Sequence, residues 1–320
     1  MGLDEIIFGA SKPCLLESPI RKFAFFPLPD RSLRMAEPQL LRKIQLIAEK
    51  AKLGEIAVAF RDFESNEEFS HCGDRWFHAA STFKAALLFA LFKAAEGGRV
   101  HLDDQLHIRN RFVSIAGGGI FRVERNRDGD SVVHQRIGRS MTLLDLAGVM
   151  ITRSSNLATN LLLDLLSLDF VRTTLEEAGV AGVEVRRGVE DLAAHDLGIN
   201  NEATAKGLLR LFRLFLDTEG ALSENHRQQA LEILFAQEFG SMLPARLPDG
   251  VRVAHKTGEI STHCHDAGIV FPTNRRPYVI AIMTGTLPET ENRAKAVAEI
   301  SAAVFHHLQG KRCERESADE

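Results

Sequence analysis

One tyrosine and one tryptophan stand among 320 residues, and cysteine is nearly as scarce at four. Cys14, Cys72, Cys264 and Cys313 are scattered, which excludes a disulfide scaffold and shows no metal-ligand spacing. Free thiols in a reducing compartment fit that pattern, and a Cys72–Cys264 bridge requires strands from the two chain ends to meet. No apolar run approaches the roughly 18 residues of a membrane-spanning helix. The N-terminal stretch MGLDEIIFGASKPCLLESPIRKF lacks a basic segment followed by an apolar one, so it does not read as a signal peptide, and Met35 is a second candidate start. The expectation is a cytoplasmic protein, or a periplasmic or secreted one if the N-terminus is mis-assigned. A net charge of −4 with mixed signs gives no reason to expect nucleic acid or a membrane as partner. There are no internal repeats.

What is present is enough for a core: 45% of the residues are hydrophobic, and the length suits one large domain or two. Residues 1–35 read as an irregular extension holding Pro13, Pro19, Pro27 and Pro29, and 310–320 as a charged, frayed tail. Helical spacing marks Gln39–Lys52, and alternation marks strands at Gly54–Phe63 and Glu68–Cys72. The polar stretch 101–130, with Gly117–Gly119 inside it, reads as a long surface loop with little regular structure. Helices follow at Thr142–Ile151, Leu157–Leu166, Phe170–Ala178, Thr204–Leu216 and Glu224–Gln237. The period then returns to two over Val251–His255, Asp266–Phe271 and Tyr278–Thr284, and Ala294–His307 closes with a helix. Strands at both ends with helices between predict an α/β (α+β sandwich) class. Its antiparallel sheet is built from both chain ends, 36–78 and 250–309, and a helical domain is inserted over 79–249.

Three short stretches carry chemistry. The first is Ser81-Thr82-Phe83-Lys84, at the head of a helix that is apolar on nearly every side and stops at Gly97-Gly98. Ser81 and Thr82 are N-cap-type residues. Lys84 is a cation in the first turn, where burial and the helix dipole disfavour its charge, and the i, i+3 spacing lets it reach the Ser81 hydroxyl. An ordinary capped helix with a lysine reaching solvent is the other reading. The second is Arg153-Ser154-Ser155-Asn156, at a junction of two apolar helices, where side chains enter a cleft or merely cap a helix. The third is His255-Lys256-Thr257-Gly258, read as a strand end able to hold a carboxylate against bare glycine backbone.

In this order and spacing, STFK, SSN and KTG resemble the penicillin-recognising serine hydrolases, and most of all class A β-lactamases. The resemblance covers about residues 36–309. It implies that Ser81 is the acylated nucleophile, Lys84 its proton acceptor and Ser154 the donor to the β-lactam nitrogen. Asn156 would hold the substrate's side-chain amide, and Lys256 and Thr257 its carboxylate. The backbone N–H groups of Ser81 and Glu259, beyond Gly258, would form the oxyanion hole. The family's deacylating glutamate, 36 residues beyond the first serine of the second motif, falls on Glu190, with Asp191 and Glu184 as competitors nearby. No cofactor or metal is implied, and the partner is a small-molecule β-lactam or an acyl peptide or ester.

The chain departs from the pattern in places. Ser155 stands where the family has aspartate, and Ala194 stands where an asparagine helps hold the hydrolytic water, leaving His195 or Asn200 as substitutes. No arginine beyond KTG is apparent. With Tyr278 the one tyrosine, an aromatic cleft wall has to be another residue, and Phe112 is a candidate. Three other readings stay open. One is a zinc site among His255, His263, Cys264, His265 and Asp266. Another is a D-alanyl-D-alanine peptidase or small-acyl esterase, and the third is a sensor that acylates without turnover.

Overall fold

The computed structural model describes residues 33–218, 220–286 and 292–316. Helix α1 (Leu33–Lys50) leads into strand β1 (Leu53–Asp62), β2 (Glu68–His71) and the short β3 (Phe77–His78). After α2 (Lys84–Glu96) come β4 (Gln105–His107), β5 (Phe112–Val113), β6 (Ile120–Phe121), α3 (Val132–Gln135) and β7 (Ser140–Thr142). Next are α4 (Leu143–Thr152), α5 (Asn156–Leu166), α6 (Leu168–Glu177), β8 (Val183–Glu184), α7 (Leu192–Asp196) and β9 (Glu202–Ala203). The chain then runs through α8 (Ala205–Leu214), α9 (Glu224–Phe235), β10 (Arg252–Ile260), β11 (His263–Phe271), β12 (Tyr278–Thr286) and α10 (Arg293–Glu316).

The main sheet has the order β10-β11-β12-β1-β2. Its first strand therefore pairs with its last, antiparallel, with Val58 opposite Ile282 and Phe60 opposite Ile280. This is the antiparallel sheet built from both chain ends. Both faces of β1 are covered. Val58 and Phe60 pack toward Leu40 and Ile44 of α1 and Val297, Ile300 and Val304 of α10. Ala57 and Ala59 face the helical side with Ala267, Ala281 and Met283. Small side chains on that second face let helices approach closely, and α8 lies against β1, β11 and β12 there.

Helix α2 runs through the middle of the helical region and packs against α4, α5, α6, α8 and α9. Its residues Lys84 to Phe92 are all buried. The buried leucines and phenylalanines are each worth roughly 1.5–3 kcal/mol of transfer free energy, which fixes the helix and the residue at its head. Side chains cap its neighbours: Thr142 accepts from the Asp145 N–H, Ser155 from Ala158 and Thr204 from Gly207.

Several boundaries differ from the expectation. Helix α1 begins at Leu33 and runs through Pro38, ahead of the expected start at Gln39. Residues 1–32 of the expected extension lie outside the described residues. Helix α10 continues to Glu316 through the charged stretch read as a tail, since lysine, arginine and glutamate are good helix formers. The stretch 101–130 holds β4, paired with β7, and a β5–β6 hairpin around Gly117–Gly119, both too short to leave a period of two. Among the described residues, no helix is long and apolar enough to cross a membrane.

Candidate active site

The first motif sits on a strained turn. Ala80 has φ +47°, in a region L-residues with a Cβ rarely occupy, at a cost of about 1–3 kcal/mol. His78 Nδ1 accepts the Ala80 N–H at 3.0 Å, the Ala79 N–H donates to Asn201 O at 2.8 Å, and Thr82 Oγ1 donates to Ala79 O at 2.6 Å. Neither Ser81 nor Thr82 caps α2: Phe83 occupies the cap position without a side-chain bond. The turn instead presents Ser81, whose hydroxyl makes no hydrogen bond among the described residues.

Lys84 does not reach Ser81 with its side chain. Its Nζ lies 2.6 Å from Ser154 O, 2.7 Å from Asn156 Oδ1 and 3.2 Å from Ser154 Oγ. The lysine is fully buried, and burial, followed by the nearby Lys256, holds its pKa well below the ordinary lysine range, with Asp128 pulling the other way. Two of its partners are carbonyl oxygens that can only accept. A neutral amine donates to those two and has one lone pair left to take the Ser154 hydroxyl proton. These bonds tie the first motif to the second. Ser154 itself sits at φ +59°.

Glu190 shares a hollow of about 700 Å³ with Ser81, Asn156, His78, His195 and Glu259. Its side chain is 13% exposed and pairs with Arg127 Nη1 at 3.1 Å. The preceding residue is clamped by a helix side chain: Asn160 Nδ2 donates to Val189 O, and the Val189 N–H donates to Asn160 Oδ1, both at 2.8 Å. Asn160 was not singled out from sequence. Asn160 stands one turn after Asn156, and its burial, visible only in the fold, sets it apart. The two competing carboxylates are committed elsewhere. Asp191 caps α7 and binds Ser114 Oγ at 2.6 Å. Glu184 pairs with Arg186. Ala194 is buried, His195 lines the hollow, and Asn200 Oδ1 is taken by His195 Nδ1 and Arg187 Nη2.

The third motif lies within β10, at the edge of the sheet, and does not end a strand: pairing with β11 continues to Ile260. The buried polar residues Lys256 and Thr257 break the hydrophobic alternation that marks a strand in sequence. Lys256 is buried and its Nζ donates to Thr257 O at 2.9 Å. Burial lowers its pKa to about 7 against the opposing pull of Asp266. A Cβ on Gly258 would stand 3.0 Å from Ser81 N and 2.9 Å from Thr82 N, so the strand lies directly on the nucleophile turn. Thr257, Ser154 and Phe239 line a second hollow of about 260 Å³ that meets the first at Ser81, Arg127, Asn156 and Glu259. Arg293, at the start of α10, donates to Glu259 Oε1 at 3.0 Å and to Ser261 O at 2.6 Å.

Other expectations are corrected. Phe112 packs against Phe121 in a tilted pair at 5.7 Å behind the Glu190 loop, in a separate hollow, and Phe83 and Phe239 line the cleft. Cys72 and Cys264 pack on opposite faces of the sheet and do not bridge to each other. The histidines serve structure. His265 Nδ1 accepts the Thr284 N–H at 3.0 Å, so Nε2 carries the hydrogen and donates to His78 O at 3.0 Å. Burial lowers its pKa to about 3. His255 Nδ1 pairs with Asp266 at 2.9 Å. Among the described residues, no group of three or more His, Cys, Asp or Glu side chains is arranged to hold a metal.

A family model described as the beta-lactamase enzyme family matches residues 39–308. β-Lactamase PSE-4 of Pseudomonas aeruginosa is 22% identical over 277 residues, 82% of this chain and 90% of that protein. A PBP-A variant solved as an acyl-enzyme complex with penicillin G is 26% identical with a TM-score of 0.72, over 85% of this chain and 97% of that one. A β-lactamase from Sphaerobacter thermophilus is 25% identical with a TM-score of 0.69, over 83% and 95% of the two chains.

Proposed function

The chain belongs to the beta-lactamase enzyme family and is a class A β-lactamase-like serine hydrolase, and from that premise we propose how its cleft works. Neutral Lys84, its Nζ turning from Ser154 toward Ser81 once substrate is bound, takes the Ser81 hydroxyl proton as Ser81 Oγ attacks the β-lactam carbonyl carbon. The N–H groups of Ser81 and Glu259 receive the oxyanion. As the carbon–nitrogen bond breaks, the Ser154 hydroxyl gives its proton to the leaving nitrogen and is reprotonated from Lys84. Thr257, Lys256 and Ser154 hold the substrate carboxylate, and Asn156 its side-chain amide.

The acyl ester on Ser81 is then hydrolysed by a water activated by Glu190, which takes the water's proton and returns it to Ser81 Oγ. The observation that carries this reading is one hollow holding Ser81 and Glu190 together, on a loop clamped by Asn160, with Lys84 bonded to Ser154 and Asn156. A second reading, a penicillin-binding peptidase that deacylates slowly, is favoured by one feature: Ala194 offers no amide to hold the water. Steady-state turnover of a chromogenic cephalosporin separates the two. Many turnovers per Ser81 support the β-lactamase. A stoichiometric burst followed by a halt refutes it in favour of the second reading.

A further inference from the structure

The second motif has a serine where a carboxylate would stand at the head of α5, yet the helix start is not short of an anion. Asp128, 28 residues before Asn156, is fully buried as a side chain. Its Oδ1 accepts the Asn156 N–H at 2.7 Å and its Oδ2 the Leu157 N–H at 2.9 Å. These are the first two amides of α5, which have no partner inside the helix. Ser155 takes the third, from Ala158, at 3.2 Å. His134 Nε2 lies 3.0 Å from Asp128 Oδ2, and the Asp130 N–H donates to Oδ1 at 3.3 Å.

The segment around Asp128 is pressed onto the motif at two more points. Arg127 O accepts Asn156 Nδ2 at 3.1 Å. A Cβ on Gly129 would stand 2.4 Å from Arg153 O, so only glycine lets the two backbones meet there. Asp128 is therefore the hub of the contact between residues 127–130 and 153–157.

We propose that Asp128 is a positioning residue for acyl transfer, supplying from the preceding loop the carboxylate that Ser155 does not, and holding Ser154 and Asn156 against Lys84. The proposal rests on the reading of Ser81 and Lys84 given above. Asp128 also faces Lys84 electrostatically. It is the anion that opposes the depression of Lys84, while Lys256 of β10 adds to it. Glu190 and Arg127, paired with each other, line the adjoining hollow. An anion here keeps the lysine's charged form within reach when the Ser81 proton arrives.

The test is the rate of Ser81 acylation by a penicillin, followed by intact mass from pH 5 to 9, in Asp128→Asn and Asp128→Glu. Asp128→Asn removes the charge and one acceptor while keeping the volume. Its acylation is expected to fall about tenfold to a hundredfold, the loss of a charge-assisted bond at buried donors. The pH of half-maximal acylation is expected to move down, because Lys84 loses its neighbouring anion. Asp128→Glu keeps the charge, so its rate falls but its pH midpoint stays. That second variant also reads the proposal if Asp128→Asn fails to fold. Acylation by Asp128→Asn within twofold of wild type, or a midpoint that moves in Asp128→Glu, overturns the proposal. Ser81→Ala run alongside separates the two levels: persistent labelling there refutes the nucleophile itself, independently of Asp128.

Discussion

Replacing Gly258 with alanine puts a methyl group where the strand meets the nucleophile turn. The new Cβ would lie 2.9 Å from both Thr82 N and Thr82 Cγ2 and 3.0 Å from Ser81 N. Carbon–nitrogen and carbon–carbon contacts in packed interiors settle at roughly 3.5 Å or more, so about half an ångström must be found. The turn has little to give: Ala80 is already strained at φ +47° and tied by His78 and Asn201. Strand β10 is an edge strand and yields instead. Its movement carries the Glu259 N–H away from the Ser81 N–H. Losing one oxyanion donor costs about 10²–10³ in rate, or roughly 2.7–4 kcal/mol of transition-state stabilisation. Overpacking costs the fold only about 1–3 kcal/mol. Stopped-flow acylation by a chromogenic cephalosporin should therefore fall at least a hundredfold, while urea denaturation shows a folded protein. Gly119→Ala, where an added Cβ meets nothing within 4 Å, is the control and should acylate normally. Acylation of Gly258→Ala within about threefold of wild type would refute the placement of the oxyanion hole.

Three further outcomes follow from the same geometry. Glu190→Gln should acylate within a few-fold of wild type and deacylate about 10²–10⁴ more slowly, read as accumulation of the adduct. Asn160→Ala removes both bonds to Val189, so deacylation should slow at least tenfold with acylation nearly kept, measured in single-turnover experiments. Lys256 has a folded pKa of about 7, below its unfolded value, so between pH 7 and about 10 the unfolded chain binds more protons. Stability therefore rises with pH in that window, by at most about 1.4 kcal/mol per pH unit from this group, and the urea midpoint of Lys256→Met should show a flatter slope than wild type.

The sheet and the helix order were legible because apolar periods report burial directly, as in Val58 and Phe60 or Leu157 to Leu166. The three motifs were legible because each is a contiguous stretch. What the sequence hid are pairings made across the fold. Lys84 meets Ser154 and Asn156, 70 and 72 residues away, and not the serine three positions before it. Asp128, Arg127, Asn160 and Arg293 sit in polar or helical stretches where nothing local separates them from solvated neighbours. The contacts that give them work come from a helix head, a loop and a strand brought together. Phe112 failed as the cleft aromatic for the converse reason: composition shows that an aromatic is available, and only packing shows which hollow it lines. The extent of β10 was hidden because the buried polar residues Lys256 and Thr257 interrupt the alternation.

The most direct measurement of the central claim is the mass of the intact protein, followed in time after mixing with a penicillin. The account predicts an adduct of the whole penicillin mass that rises and then decays as hydrolysed product appears. It should persist in Glu190→Gln and never form in Ser81→Ala. An adduct formed without Ser81, or one that decays at the wild-type rate without the Glu190 carboxylate, would contradict the account.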